Sequence, residues 1–506
     1  MTVAMVLGLA PGCSAPAEPG GGSDTLRIVG PFEIHSLEPT ATSGFFTRLE
    51  VAETLVTADV EGELVPGLAA EWSSSRGGRS WTFELVEGAT FHDGTPVTPD
   101  AAVAALETAR SDEASPLATI PVEQIVATET GVRFDLTERY LTLPAVLTHY
   151  SAMILAPASY DEDGHVTELI GSGPYRIEHV ELPGSIEVER YDDWRGTPPE
   201  VEHISFQTVT RPESRALMAS SDQADVVFHL EPAGRERVEG TDGVSLVSSL
   251  QPRTIMLKVN GEHPVLGDPD VRRALSMGLD REAMAEAVLR EEELAATQLM
   301  PPSLTTWHQP DLEPLAHDAA AAREVLESAG WSEGEDGFLE KDGERLRLNL
   351  LTYPDRPELP ALATAIQASL KEVGVDIDVE VANSSEVPLR HADGSLELAL
   401  VARHFALVSD PLVTVADTFA PAGSDWGVDG WSDPRMSRAV DELLGGPAEE
   451  RAAELRTTVT TIAQEELPLI PVAWYRMNAA VTDRIEGFVM DPLETSWHLS
   501  SVEWAS

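Results

Sequence analysis

The residues that could perform chemistry in this sequence do not form a catalytic motif. The 13 histidines are scattered, and the single cysteine, Cys13, lies in the N-terminal leader. There is no HExxH helix, no GxSxG turn and no phosphate-binding P-loop. With 86 aspartates and glutamates in the chain, the spacing of carboxylates carries no information. The sequence therefore favours binding over catalysis, without a cofactor or resident metal; a secreted hydrolase is the distant alternative.

The charge of the chain is extreme. The formal net charge is −52, and lysine occurs only as Lys258, Lys341 and Lys371. Such a surface repels nucleic acid and disfavours polyanionic ligands. Adaptation to salt and attraction of cationic solutes would both explain it, and the even spread of acidic residues favours salt adaptation.

The first 24 residues are predicted to be a leader and a tether. An apolar run from Thr2 to Ala10 leads into Pro11-Gly12-Cys13, and a Pro/Gly/Ser-rich stretch follows to Ser23. This arrangement resembles a bacterial lipoprotein signal, although no basic residue precedes the apolar run. The resemblance implies that Cys13 is lipidated and that the protein is anchored to the outer face of the cell membrane. No later stretch is apolar enough to span a bilayer.

Local patterns predict an α/β protein of more than one domain, since 506 residues are too many for one core. Trp81–Leu85 alternates large and polar residues, which is typical of a half-buried strand. Thr98 and Asp268 each precede a proline and are predicted to cap helices. Near the start, a loop with Gly44-Phe45-Phe46 is predicted, followed by a helix through Leu49, Ala52 and Leu55.

From Leu346 the pattern becomes βαβαβ, which indicates a largely parallel sheet with helices on both faces. Ligands of such sheets bind at the carboxyl ends of the strands. Those ends are predicted at Thr352-Tyr353 and at Arg403-His404-Phe405.

Several stretches together resemble one family, the extracytoplasmic solute-binding proteins of the peptide/nickel class that serve ABC importers. The similarity runs from Leu26 to Trp504, and the stretches that carry it are Pro66–Ala69, Trp72, Trp81–Phe83, Phe91–Pro96, Gly171–Ile177 and Asp268–Glu282.

The resemblance implies a type II periplasmic-binding-protein fold, with two lobes, a hinge and the extra domain of the peptide-binding class. Lobe I is expected to comprise residues 25–60, 171–255 and 480–506, the extra domain residues 61–170, and lobe II residues 256–479. The implied function is to capture a peptide or a related small amphoteric solute and deliver it to the importer's permease and ATPases, as a monomer that binds no nucleic acid. A nickel or metal-chelate receptor is the alternative.

The resemblance leaves the ligand open. In the peptide branches an aspartate shortly before an Asp-Pro pair anchors the peptide's amino group, but Leu407 stands at the matching position before Asp410-Pro411. His404, Asp410 or an acidic group elsewhere could compensate. In the nickel branch an arginine helps to hold the chelate, whereas His149–Met153 contains none. His149 could ligate a metal or face water.

Arg403 is predicted either to bind a carboxylate or to form an internal ion pair. The residues expected to contact the ligand are Phe45, Phe46, His149, Tyr150, Arg403, His404, Phe405, Asp410 and Trp426, followed by Trp474 and Tyr475.

We expect added sodium chloride to raise the melting temperature, because salt screens the repulsion among the excess acidic groups. Thermal denaturation followed by circular dichroism over a range of salt concentrations tests this. A melting temperature that is flat or falls as salt is added would contradict it.

Overall fold

The computed structural model describes residues 24–42, 44–354 and 356–506. The leader, with Cys13 and almost all of the predicted tether, lies outside this part of the chain. Within it, no helix is both long enough and apolar enough to cross a membrane.

The strands, numbered in chain order, are β1 Thr25–Gly30, β2 Val56–Ala58, β3 Leu64–Pro66, β4 Ala69–Ser75, β5 Ser80–Leu85, β6 Val122–Ala127, β7 Gly131–Leu136, β8 Tyr175–Glu181, β9 Ser185–Arg190, β10 His203–Thr208, β11 Val226–Phe228, β12 Val244–Val259, β13 Ser332–Glu333, β14 Leu339–Lys341, β15 Glu344–Arg345, β16 Arg347–Thr352, β17 Asp376–Val381, β18 Leu398–His404, β19 Leu469–Thr482, β20 Ile485–Glu486 and β21 Glu503–Trp504.

The α-helices are α1 Phe45–Arg48, α2 Pro99–Ser111, α3 Leu143–Val146, α4 Pro212–Ser220, α5 Pro232–Glu239, α6 Pro269–Met277, α7 Arg281–Met284, α8 Ala319–Ser328, α9 Glu358–Glu372, α10 Glu386–Asp393, α11 Pro411–Thr418, α12 Pro434–Leu444 and α13 Glu449–Glu466; a π-helical turn, Ala285–Leu289, follows α7.

The predicted caps begin the helices for the expected reason. The Thr98 hydroxyl accepts a hydrogen bond from the Ala101 N–H, and the Asp268 carboxylate accepts one from the Asp270 N–H. The prediction of a loop at Phe45-Phe46 and a helix through Leu49 and Leu55 is wrong. The helix is α1, Phe45–Arg48, and Glu50 beyond it adopts a positive φ of 55° that turns the chain away.

One mixed sheet organises the described chain, with strand order β17-β16-β18-β12-β19-β11-β1-β10-β9-β8. β16 pairs in parallel with β17 and β18, as the βαβαβ pattern predicts, and β1 pairs in parallel with β10 and β11. The central strands β12 and β19 are antiparallel to their neighbours. The sheet therefore has two halves joined by β12 and β19. We call the half with β1 and β8–β11 the first half and the half with β16–β18 the second half.

The pairing of β12 with β19 shifts register twice, by one residue between Ile255 and Met256 and by more just before Thr254. Leu250 pairs with Arg476 and Thr254 with Trp474, so that the segment 251–253 lies opposite Tyr475 alone. Such a bulge bends the strand and re-aims its side chains. We call this irregularity the central bulge.

A second core lies apart from the main one. It draws its buried residues from Leu55 to Ile170, with Val408 as the one contribution from later in the chain. The four-stranded sheet β4-β5-β7-β6 and helix α2 form its layers. Phe83 and Phe134, both fully buried, meet edge to face with ring centroids 5.7 Å apart. The predicted residue boundaries of the lobes and the extra domain remain a prediction.

We expect Phe134→Ala to lower the free energy of unfolding by about 3–5 kcal/mol, because it leaves a cavity in this second core. Urea unfolding followed by tryptophan fluorescence measures the change. Leu389→Ala, at a side chain that is 60% exposed, is the control and should change stability by less than about 0.5 kcal/mol. Equal effects of the two substitutions would contradict the assignment of this core.

Candidate solute-binding site

A cavity of about 260 Å³ lies between the two halves of the sheet, beside the central bulge. Its first-half wall follows the ends of β1 and β11, with Phe32 and His229–Pro232. Its second-half wall follows the end of β16, with Arg356–Glu358 and Ala361. The floor is β19 from Trp474 to Arg476. This is the carboxyl-end position that the sequence predicts, at the end near Tyr353.

Arg356 is a cation of the cavity wall whose hydrogen-bond partner is a phenol. Its Nη1 donates to the Tyr475 hydroxyl at 3.1 Å, and its guanidinium lies 5.0 Å from the centroid of that ring. The Tyr475 hydroxyl also lies 3.3 Å from Nδ1 of His229. Among the described residues no carboxylate lies within ion-pair distance of Arg356; Glu358, Glu494 and the tyrosines act on it at longer range. Cationic and phenolic donors thus converge on the cavity.

A buried triad of charges lies beside this group, at the central bulge. Glu494 forms an ion pair with Arg253, whose Nη1 lies 2.8 Å from its Oε1, and accepts from Arg48 Nη2 at 3.1 Å; all three side chains are at least nine-tenths buried. Burial opposes the ionisation of Glu494, but Arg253 and Arg48 outweigh it and hold its pKa well below the usual range. Arg253 also lies over the Tyr475 ring, 5.2 Å from its centroid. The triad therefore ties α1, the bulge and the C-terminal segment together.

The cavity lining also includes aliphatic side chains. They are Val288, Leu289 and Leu294, which follow α7, and Ala361 on α9. A cavity that combines a few polar donors with aliphatic side chains is typical of small-molecule sites.

Two predicted contact residues lie near the triad. The His404 Nδ1 accepts from the Ala406 N–H at 3.1 Å, and its Nε2 lies 3.3 Å from the Pro492 carbonyl. Tyr150 stacks on His149 with ring centroids 4.0 Å apart, and the charges of Arg48 and Glu494 act on its hydroxyl. Burial lowers the pKa of His404 and of His149 to about 3, so both are neutral.

Other predicted residues serve packing or local structure. Phe46 and Phe405 are fully buried in the main core, and Phe45 packs on Phe206 while reaching a small neighbouring cavity. Asp410 caps α11 by accepting from the Leu412 N–H at 2.9 Å, and burial raises the pKa of its carboxyl.

Arg403 forms the internal ion pair that was one of its two predicted roles, with Asp417. Trp426 is half-buried and meets Tyr353 edge to face.

Arg356, His229 and Glu494 were not predicted from the sequence. Arg356 follows the strand whose carboxyl end was predicted to face a ligand, and that position was the available signal. His229 and Glu494 stand in positive-φ conformations, with φ of 56° and 60°, in stretches without a recognisable motif.

One group of described side chains could hold a metal ion. Glu178, Glu189 and His203 on β8, β9 and β10 bring one ligand atom each within 4.8 Å of one another. Glu189 is already paired with Arg176 at 2.6 Å, and none of the three lines the cavity.

We expect acid to destabilise the protein because its buried histidines resist protonation. The folded-state pKa of His149 is about 3, below the value of 6.5 for a free imidazole. Unfolding therefore takes up a proton below about pH 6.5, and stability is lost progressively as the pH falls towards 3. The loss between about pH 7 and pH 5 is about 2 kcal/mol for each such histidine.

His149→Asn tests this, because asparagine keeps an acceptor for the Ser151 N–H that the His149 ring now caps. The stability lost between about pH 7 and pH 5, measured by urea unfolding, should shrink by about 2 kcal/mol. His179→Asn, at an exposed position, is the control. An unaltered pH dependence in His149→Asn would refute the prediction.

Comparisons with known proteins agree with this architecture. Residues 63–425 match the model of bacterial extracellular solute-binding proteins, family 5. The nickel-binding periplasmic protein of Escherichia coli is 24% identical over 488 residues, which cover 92% of this chain and 91% of that protein. The dipeptide-binding protein of the same organism is 22% identical over 465 residues, covering 85% and 84%.

Among solved structures, NikA from Brucella suis in complex with Fe(III)-EDTA has a TM-score of 0.84 at 22% identity, covering 94% of this chain and 99% of that one. This similarity confirms the predicted fold, a type II periplasmic-binding protein of the peptide/nickel class. Together with the match over residues 63–425, it leads to one conclusion: the chain belongs to family 5 of the bacterial extracellular solute-binding proteins.

Proposed function

We propose that this protein is the extracytoplasmic receptor of an ABC importer and that it captures a small amphoteric solute with a carboxylate, such as a short peptide. The solute binds in the cavity between the two halves of the sheet. Closure of the halves around it shifts the open–closed population, and the closed form is what the permease recognises. The protein makes and breaks no covalent bond.

Arg356 carries this proposal. A guanidinium that lines a cavity without a carboxylate in ion-pair distance is stabilised by an anionic ligand, and its planar fork matches a carboxylate. The hydroxyl of Tyr475 stands beside it as a second donor. The neutral His229 adds no competing charge, because burial lowers its pKa to about 3.

Leu407 cannot neutralise an ammonium group of the solute, but a carboxylate in the cavity wall can. Glu358 lines the same cavity, and its Oε1 has no hydrogen-bond partner among the described residues. Burial raises the pKa of this carboxyl, which an ammonium group of the solute would counteract. Glu358 is thus our candidate for the acidic group that compensates for Leu407.

A metal chelate is the second candidate. The Escherichia coli relative is a nickel-binding protein, and neutral imidazoles such as that of His229 ligate metal ions. A chelate with carboxylate ligands would also suit Arg356.

The remaining assignments follow from the family and from the leader. Cys13 carries the lipid that anchors the protein outside the cell membrane, and the receptor acts as a monomer. Lobe I comprises residues 25–60, 171–255 and 480–506, the extra domain residues 61–170, and lobe II residues 256–479. The separate core between Leu55 and Ile170 supports the extra domain.

Mass spectrometry of solutes released from the purified protein, together with metal analysis, identifies the ligand class. Released peptides or similar zwitterions support the first candidate, and a stoichiometric metal supports the second. Detection of neither, with no binding of peptides or chelates in calorimetry, would refute both.

We expect Arg356→Gln to weaken binding of a defined dipeptide, L-alanyl-L-leucine, by about 30-fold or more, because the carboxylate would be buried without its cation. Isothermal titration calorimetry measures the affinity. Arg237→Gln removes the same charge from an exposed position on α5 and should leave affinity unchanged. Equal affinities of the two variants would contradict the role of Arg356.

A further inference from the structure

An ion pair joins the two halves of the molecule at the edge of the cavity. Arg235 on α5 pairs through Nη1 with one carboxylate oxygen of Glu291, and its Nη2 donates to the Leu289 carbonyl at 2.5 Å. Both side chains are only about 15% exposed, so the pair is largely shielded from water. One guanidinium therefore holds both a charge and a backbone carbonyl of the opposing segment.

The two partners belong to different packing units. Helix α5 buries Val238 in a small core with Val29, Val227 and other residues of the first half of the sheet. Glu291 follows the π-helical turn Ala285–Leu289, which contacts α7 and α9 beside the second half. Separation of the halves at this edge must break the Arg235 contacts.

Glu291 is also held by a second cation, Arg476. Its other carboxylate oxygen forms an ion pair with Arg476, whose Nε lies 2.6 Å away, and Arg476 lies on β19 directly beside the central bulge. Arg476 also reaches Glu293 at 3.5 Å. Arg476, on a strand that joins the halves, thus holds the Glu291 carboxylate in place. The other oxygen of this carboxylate pairs with Arg235.

The same residues form part of the cavity wall. Arg235, Leu289, Glu291 and Arg476 all line it, so a solute cannot enter or leave past this edge while the contacts persist. We propose that the Arg235–Glu291 pair is a latch that favours the closed form of the solute-free receptor and slows solute exchange. This inference rests on the proposed receptor function and concerns the regulation of the same site.

The latch has a measurable energetic consequence. A solute-free receptor that is already partly closed needs less of the solute's binding energy for closure, and its site opens less often. Loss of one partly shielded ion pair changes an equilibrium modestly, so we expect the ratio of open to closed forms to rise about three- to tenfold in Arg235→Gln. Glu291→Gln should act alike.

Small-angle X-ray scattering of the full chain, freed of solute by unfolding and refolding, reports this ratio without any ligand. Arg235→Gln and Glu291→Gln should each enlarge the radius of gyration relative to wild type, and the double variant should add little to either single one, because both remove the same interaction. Arg237→Gln on α5 and Glu292→Gln beside Glu291, both at exposed positions, are the matched controls and should scatter as wild type.

Stopped-flow release of bound L-alanyl-L-leucine supplies the second measurement, with release from Arg235→Gln faster by the same factor. Scattering of Arg235→Gln and Glu291→Gln that matches their controls would overturn the latch, as would effects that add in the double variant. Failure of every variant and of wild type to bind the dipeptide would count against the proposed function alone, since the scattering comparison needs no ligand.

Discussion

The structure depends on how β12 and β19 pair. These two strands join both halves of the sheet, and the larger break in their register is where Gln251, Pro252 and Arg253 lie opposite Tyr475. A bulge lets a continuous pair of strands bend locally. In the proposed receptor the halves would therefore move about the central bulge, where Arg253 lies opposite Tyr475. Tyr475 and the neighbouring Arg476 also line the cavity, so a solute bound there would act directly on the angle between the halves.

Burial of charge is the second constraint. The triad of Arg48, Glu494 and Arg253 buries three ionised side chains away from water. This burial is tolerated because each oxygen of Glu494 contacts a guanidinium. Removal of one partner would leave a buried charge without compensation, which costs several kcal/mol. Arg356 differs from the triad, because its nearest polar partner is a phenol. The ion network of the triad thus differs from Arg356, the cation that we propose binds the carboxylate of the solute.

Local sequence patterns predicted the local structure well. The caps at Thr98 and Asp268 and the βαβαβ order after Leu346 correspond to α2, α6 and β16–β18, because capping and periodicity act over a few residues. The antiparallel pairing of β12 with β19 joins segments more than 200 residues apart, and no local pattern encodes it. The family resemblance supplied the overall fold.

The site was predicted less well for the same physical reason. The predicted strand end near Tyr353 lies by the cavity, but the sequence does not show that Asp417 neutralises Arg403 or that Phe405 turns into the core. Arg356 and Glu494 acquire their roles from partners distant in the chain, Tyr475 and Arg48. Propensity and spacing do not reveal such partnerships.

The placement of a cationic site inside so acidic a chain has a kinetic consequence. A formal net charge of −52 surrounds the protein with a negative potential that reaches about 8 Å into physiological saline. In the proposed receptor, solutes with an overall negative charge would be slowed before they meet Arg356, whereas zwitterions with the same carboxylate would approach unhindered. The charge of the whole protein would thus discriminate among solutes by their net charge while they diffuse towards it. The cavity would then discriminate among them by functional group.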